Sequence, residues 1–227
     1  MMGTLYINGG DADVLVNTDA FALMVGMLLD QQISIEWAFK GPFTLRQRLG
    51  HLDPALIAAE PVQPLLEKAC AKPAIHRFPA SMAHRIHELA TLVASSYGND
   101  ASAIWTTAAD GRALFTRLKA LPGFGEEKAQ IFQAMLAKRF NVHHDGWQSA
   151  VGAFSDDMAR TVADLDSPER LLAVRAYKVA QKAAEVDKQD RPQKPHKPKI
   201  KPNRNPPPDP KAKSTKKKGR PRPNLGK

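Results

Sequence analysis

Cysteine is nearly missing from this 227-residue chain, where Cys70 stands alone. One thiol cannot close an internal disulfide, and its isolation fits a reducing compartment. Long apolar runs are missing too. The longest, residues 21–29, falls far short of the roughly 20 residues that cross a bilayer. The first residues lack a basic stretch followed by an apolar one, so no secretory signal is read and a cytoplasmic location is expected. Strand signals are equally scarce: no segment of useful length alternates apolar with polar residues, and no internal repeat emerges. Metal-ligand spacing is absent as well. Neither His84 with His87 nor His143-His144-Asp145 has the supporting cysteines of a zinc site.

What the chain does have is helical periodicity. Hydrophobic residues make up 43% of it, enough for one core of about 180 residues or two small helical lobes. Periodicity and capping residues predict helices over 19–39, 54–59, 62–71, 81–96, 101–106, 111–120, 126–140, 147–154 and 168–186. The last is well marked, with Ser167 as cap, Pro168 at the first helical position and Glu169 in the first turn. Residues 4–7 read as a short strand or an extended arm. Trp37, Phe39, Phe43 and Trp147 read as core.

The net charge of +10 is unevenly placed. Residues 187–227 carry 15 Lys or Arg against 3 Asp, a net +12, which leaves the first 186 residues at −2. The same segment holds 10 of the 18 prolines and few large apolar side chains, so it cannot bury enough surface to offset its ordering entropy. The sequence therefore divides into a helical domain, 1–186, and a disordered Lys/Pro-rich basic tail, 187–227. Within that tail, Lys216-Lys217-Lys218-Gly219-Arg220-Pro221-Arg222-Pro223 resembles an AT-hook. The resemblance implies that Gly219, Arg220, Pro221 and Arg222 lie along the minor groove of A·T-rich DNA, where negative potential is enhanced. A tail that only solubilises the protein is the alternative.

Leu121-Pro122-Gly123-Phe124-Gly125 is the most informative stretch. It separates two helical patterns, one through Leu114, Phe115 and Leu118 and the other through Ala129, Phe132, Leu136 and Phe140. The two glycines can take positive φ or let the backbone approach a partner closely, and Pro122 fixes the entry angle. The expected product is a helix-hairpin-helix. Its amides at the second helix's N-terminus suit a phosphate oxygen.

LPGFGEEKA resembles the hairpin of the DNA glycosylase superfamily named for that element and a following Gly/Pro-rich loop with an aspartate. Leu28-Leu29-Asp30-Gln31-Gln32-Ile33-Ser34 is similar to the signature of that superfamily's first core helix, and Phe78-Pro79-Ala80-Ser81-Met82-Ala83 looks like the start of the helix preceding the hairpin. Together the matches span roughly residues 15–185. The resemblance implies an all-α, two-lobed helix-hairpin-helix DNA glycosylase-like fold. It also implies contact with double-stranded DNA through Leu121, Pro122, Gly123, Phe124, Gly125 and Lys128, and an approach of Gln31 and Gln32 to the lesion. The alternative for the two glutamines is amides that satisfy helix ends near the core. Some relatives carry an iron-sulfur cluster on four cysteines, which this chain cannot supply. No cofactor is expected, with a monovalent cation at the hairpin left open.

The family's catalytic aspartate lies about twenty residues past the hairpin's second glycine, which lands here on Asp145. A carboxylate suits that place because cleavage of an N-glycosidic bond builds positive charge on the sugar. Its other reading is an N-cap for the next helix. The loop lacks the family's Gly-Pro. A second departure lies in the hairpin, where Glu127 occupies the position of the Schiff-base lysine of bifunctional relatives and Lys128 is turned about 100° away. Lyase chemistry is therefore not expected. Glu126 and Glu127 also weaken phosphate binding: at about 6 Å a carboxylate–phosphate pair costs roughly 0.7 kcal/mol in water-like dielectric and about 3 kcal/mol at an effective value of 20. The dipole returns only about 0.3–1 kcal/mol, so the basic tail is expected to tether the core to DNA.

The preferred expectation is a monofunctional base-excision glycosylase acting on a damaged or mispaired base in DNA, cytoplasmic and nucleoid-associated. The alternatives are a non-catalytic DNA-binding protein that kept the fold and gained the tail, and a helical interaction protein whose tail aids solubility.

Overall fold

The computed structural model describes residues 3–184, together with 186 and 189. The AT-hook-like residues Gly219, Arg220, Pro221 and Arg222 lie outside the described residues. Eleven α-helices follow one another: α1 (Asp11–Thr18), α2 (Ala20–Leu29), α3 (Ile35–Leu49), α4 (Pro54–Ala59), α5 (Val62–Cys70), α6 (Pro79–Ser96), α7 (Ala103–Thr106), α8 (Gly111–Lys119), α9 (Glu126–Phe140), α10 (Trp147–Val151) and α11 (Pro168–Ala184). Two 3-10 turns, Gly152–Ser155 and Val162–Asp164, lie between α10 and α11. The fold is all-α. Among the described residues there is no β-strand, and no single helix is long and apolar enough to cross a membrane.

α2 is the central element. Its sequence, AFALMVGMLL, is apolar all round, and every residue from Phe21 to Leu29 is buried. Asp19 caps its start by accepting from Ala22 N at 2.9 Å. α6 packs on α2, α4 and α5, while α9 packs on α8, α10 and the turn Val162–Asp164. These two groups of helices share one apolar core, in which Met24, Phe39, Ile86, Trp105, Phe132 and Phe154 are fully buried.

The structure corrects the sequence reading at the first helix. A single helix over 19–39 was expected, but the chain breaks after Leu29 and restarts at Ile35. Gln32 at φ 59° cannot continue a right-handed helix. Ser34 then caps α3, its Oγ accepting from Trp37 N at 3.3 Å. α1 had no counterpart in that reading, and it meets α2 at a bend of 111°. Residues 4–7 form an arm rather than a strand, tied down by Thr4 N to Arg139 O (3.0 Å) and Leu5 N to Asn17 Oδ1 (2.9 Å). Buried Asp13 holds the turn after it by accepting from Ile7 N, Asn8 N and Gly9 N.

Candidate nucleic-acid interface

The hairpin between α8 and α9 is built around two inward side chains. Leu121 and Phe124 are buried, and the Phe124 ring sits 5.9 Å from that of Phe132 on α9. Phe124 N closes the turn onto Leu121 O at 3.0 Å. Between and beyond these anchors, Gly123 and Gly125 are exposed. Their amides meet no acceptor among the described residues, so two of the hairpin's donors face outward while Phe124 N is used internally.

The two glycines are there for different reasons. Gly123 has φ +75°, and a Cβ on it would stand 2.6 Å from Leu28 Cδ1 and 3.1 Å from Arg85 Cδ. Both backbone conformation and packing require it. Gly125 is extended at φ −110°, and a Cβ there would meet nothing within 4 Å. Nothing inside the protein requires that glycine.

Gly123 also marks where two distant motifs meet. Leu28 belongs to the end of α2 and Arg85 to α6. Arg85 donates to Gln31 Oε1 at 3.1 Å, and Gln31 Nε2 donates to Leu28 O at 2.8 Å. Lys128 adds a second tie: its ammonium donates to Met27 O and Leu28 O, both at 2.9 Å, and lies 5.6 Å over the Phe124 ring. A cation on the last carbonyls of α2 satisfies groups that the helix itself leaves open. Lys128 thus clamps the hairpin to α2.

Gln31 and Gln32 part company. The Gln31 amide is engaged at the helix end, as the core-side reading had it, whereas Gln32 is exposed with no hydrogen bond among the described residues. The loop that holds them is pinned by a residue with no sequence signal. His76 is 1% exposed; its Nδ1 accepts from Phe78 N at 2.9 Å, which leaves the proton on Nε2 to donate to Gln31 O at 2.9 Å. Phe78 itself is 46% exposed, with the Arg77 guanidinium 5.3 Å over its ring. An exposed aromatic beside a cation was legible only as part of a motif.

Asp145 lies at the start of α8, the end of that helix away from the hairpin. Asn141, at φ 56°, ends α9, and the following loop docks on the start of α8, with Gly111 N donating to Asp145 O at 2.9 Å. Contact is so close that a Cβ on Gly111 would lie 2.6 Å from Trp147 N. His144 Nε2 reaches Trp105 O at 2.8 Å. The capping role for Asp145 does not occur: Gly146 is the N-cap of α10, and no side chain caps that helix. Asp145 is exposed, its carboxylate has no partner among the described residues, and the residue lines a cleft of about 840 Å³ with Asp110, Arg112, Phe115, Glu126 and Gln130. Gln31 and Gln32 do not line it. Glu126, one of the two acids expected to oppose phosphate, turns to Lys119 at 3.2 Å. Gln189 Nε2 reaches Gln130 Oε1 at 3.0 Å, so residue 189 is held at this same cleft.

No family model matches the chain, and no curated protein matches it. Among solved structures it is similar to a trapped covalent endonuclease III–DNA intermediate, an estranged-adenine complex, at 17% identity and TM-score 0.38, covering 75% of this chain and 68% of that one. It is also similar to a non-covalent endonuclease III–DNA complex at 18% identity and TM-score 0.41, covering 77% of this chain and 69% of that one.

Proposed function

We propose that the chain is a monofunctional DNA glycosylase that hydrolyses the N-glycosidic bond of a damaged or mispaired base in duplex DNA. The observation that carries this reading is Asp145, its carboxylate unpartnered among the described residues, on the wall of an 840 Å³ cleft that also includes Glu126 at the start of α9. The outward amides of Gly123 and Gly125 receive a backbone phosphate at the opposite end of α8. The exposed side chains of Gln32 and Phe78 are the groups this reading assigns to supporting the stack from which the base has been removed. In the reaction the C–N bond breaks with its electron pair on the departing base. Asp145 stabilises the cationic sugar, and water adds to the anomeric carbon. Glu127 in place of an amine leaves no Schiff base at that position, so the product is an abasic site with an intact strand.

A panel of labelled duplexes bearing uracil, alkylated purines, oxidised guanine or mismatches tests this by alkali-revealed strand cleavage. Release on one substrate, lost by at least about 100-fold in Asp145→Asn with binding retained, is the expected result. Binding without release on every duplex overturns catalysis. It supports instead a non-catalytic DNA-binding protein that keeps the fold.

A further inference from the structure

A separate pocket of about 310 Å³ opens on α3, one turn beyond the Gln32 loop, between Trp37 and residues 73–75. Trp37 was read as core, yet it is 42% exposed. Its Nε1 donates to Ala74 O at 3.1 Å, so the edge of the ring is fixed to that segment and the indole stands as a wall of the pocket with its remaining surface wet. Lys40 follows at i+3 on the same helix, exposed and without a partner among the described residues. Asn8 spends its Nδ2 on Glu36 O at 3.1 Å, which leaves its Oδ1 open to the pocket. A fixed indole, one acceptor and one cation at the mouth suit a flat heterocycle linked to an anion.

Charge decides which part of such a ligand goes inside. Glu36 lines the pocket and pairs with Arg175, with Nε to Oε1 at 3.1 Å. The Glu36 carboxylate is already matched by Arg175, so the interior offers phosphate no spare cation, whereas an uncharged base needs none, and the phosphate is left to Lys40 at the rim. Position links the pocket to the proposed interface. Ala74, the acceptor for Trp37, is four residues from exposed Phe78, a reach of at most about 14 Å. That distance corresponds to about four base steps along one strand.

We propose that the Trp37 pocket is a nucleobase subsite, which takes one unpaired base from a strand that continues beyond the bound duplex, stacked on Trp37 with its phosphate on Lys40. The assignment rests on reading the hairpin face as a DNA surface, and it adds a preference for duplexes with a single-stranded flank.

The test compares the full chain on a blunt duplex and on the same duplex with a five-nucleotide thymidine extension, 5′ or 3′, so that binding by the basic tail enters both measurements. One extension should bind about 5- to 100-fold tighter than the blunt duplex. Trp37→Ala should erase that gain with blunt-duplex affinity unchanged, Trp37→Phe should keep most of it, and Lys40→Ala should reduce it. Circular dichroism melting of each variant checks that the fold persists. Equal affinity for blunt and extended duplexes, or a gain that survives Trp37→Ala, overturns the subsite and leaves the DNA reading standing. A Trp37-dependent gain with no measurable blunt-duplex binding keeps the subsite and removes the duplex reading. Absence of binding to either overturns both.

Discussion

At the scale of single residues, Gly123 and Gly125 are two residues apart and answer to different forces. Gly123 is fixed by the fold, through positive φ and the Leu28 and Arg85 side chains against its Cα. Gly123→Ala combines left-handed strain with overpacking and should lower stability by about 2–4 kcal/mol in urea unfolding. Gly125 sits in ordinary extended backbone with open space where a side chain would go. Gly125→Ala should therefore cost no more than about 1 kcal/mol, the penalty of alanine at the N-cap of α9. Its DNA affinity should nevertheless fall if a sugar-phosphate strand approaches that amide. Unchanged affinity for Gly125→Ala in a fluorescence anisotropy titration would remove the hairpin from the interface.

At the scale of elements, what was legible in the sequence was local and what was hidden was tertiary. The α8–hairpin–α9 unit and the start of α11 were readable because turn glycines and caps act within a few residues. Ser167 does accept from Arg170 N at 3.3 Å. The break between α2 and α3 was not readable. Gln32 adopts φ 59° without being glycine, and His76, forty-five residues away, supplies the hydrogen bond to Gln31 O that holds this loop. Such a conformation costs of order 1–3 kcal/mol and persists because its surroundings over-determine it. The contact between hairpin and Gln31 loop was hidden for the same reason, since Arg85 and Lys128 join them only in the folded state. Asp145 was singled out as a candidate by its spacing from the hairpin. Its freedom from capping depended on how tightly Gly111 lets the loop approach α8.

Capping also gives this scale a pH-dependent expectation. Asp53 caps α4, accepting from Ala55 N at 2.8 Å and Leu56 N at 3.2 Å, and Asn99 Nδ2 donates to it at 3.1 Å. The Asn99 hydrogen bond holds its carboxyl below the usual aspartate value; slight burial pushes the other way, and the Leu56 and Ala55 amides add to the lowering. A depressed folded pKa means that the stabilisation is fully present above the unfolded value, about 3.9, and is lost as pH falls through the folded value. Asp53→Ala should cost about 0.5–2 kcal/mol at pH 7. In urea midpoints the gap between variant and parent should narrow below about pH 4. A gap independent of pH would show that the carboxylate's charge has no part in the cap.

At the scale of the whole molecule, charge and fold are divided along the chain. Residues 194–227 contain 13 Lys or Arg and 1 Asp, whereas residues 1–193 are close to neutral at −2. The hairpin's outward amides carry no full charge and residues 1–193 sum to −2, so the core by itself has little electrostatic attraction for DNA. On the proposed reading, long-range affinity falls to the basic segment and local geometry to the core. If 6 to 10 of its cations neutralise phosphates, log affinity should fall against log salt with a slope of about −5 to −9. Ending the chain at residue 193 keeps Gln189 on Gln130 and removes only the basic segment. The shortened protein should bind the same duplex with a slope of about −1 to −3, and its affinity at 50 mM salt should drop by at least about 100-fold. Base release at saturating enzyme, however, should persist, because the Asp145 cleft is complete within the core. A truncated chain with the parent's salt slope would move the DNA-binding charge back into the helical domain, against the distribution that the sequence displays.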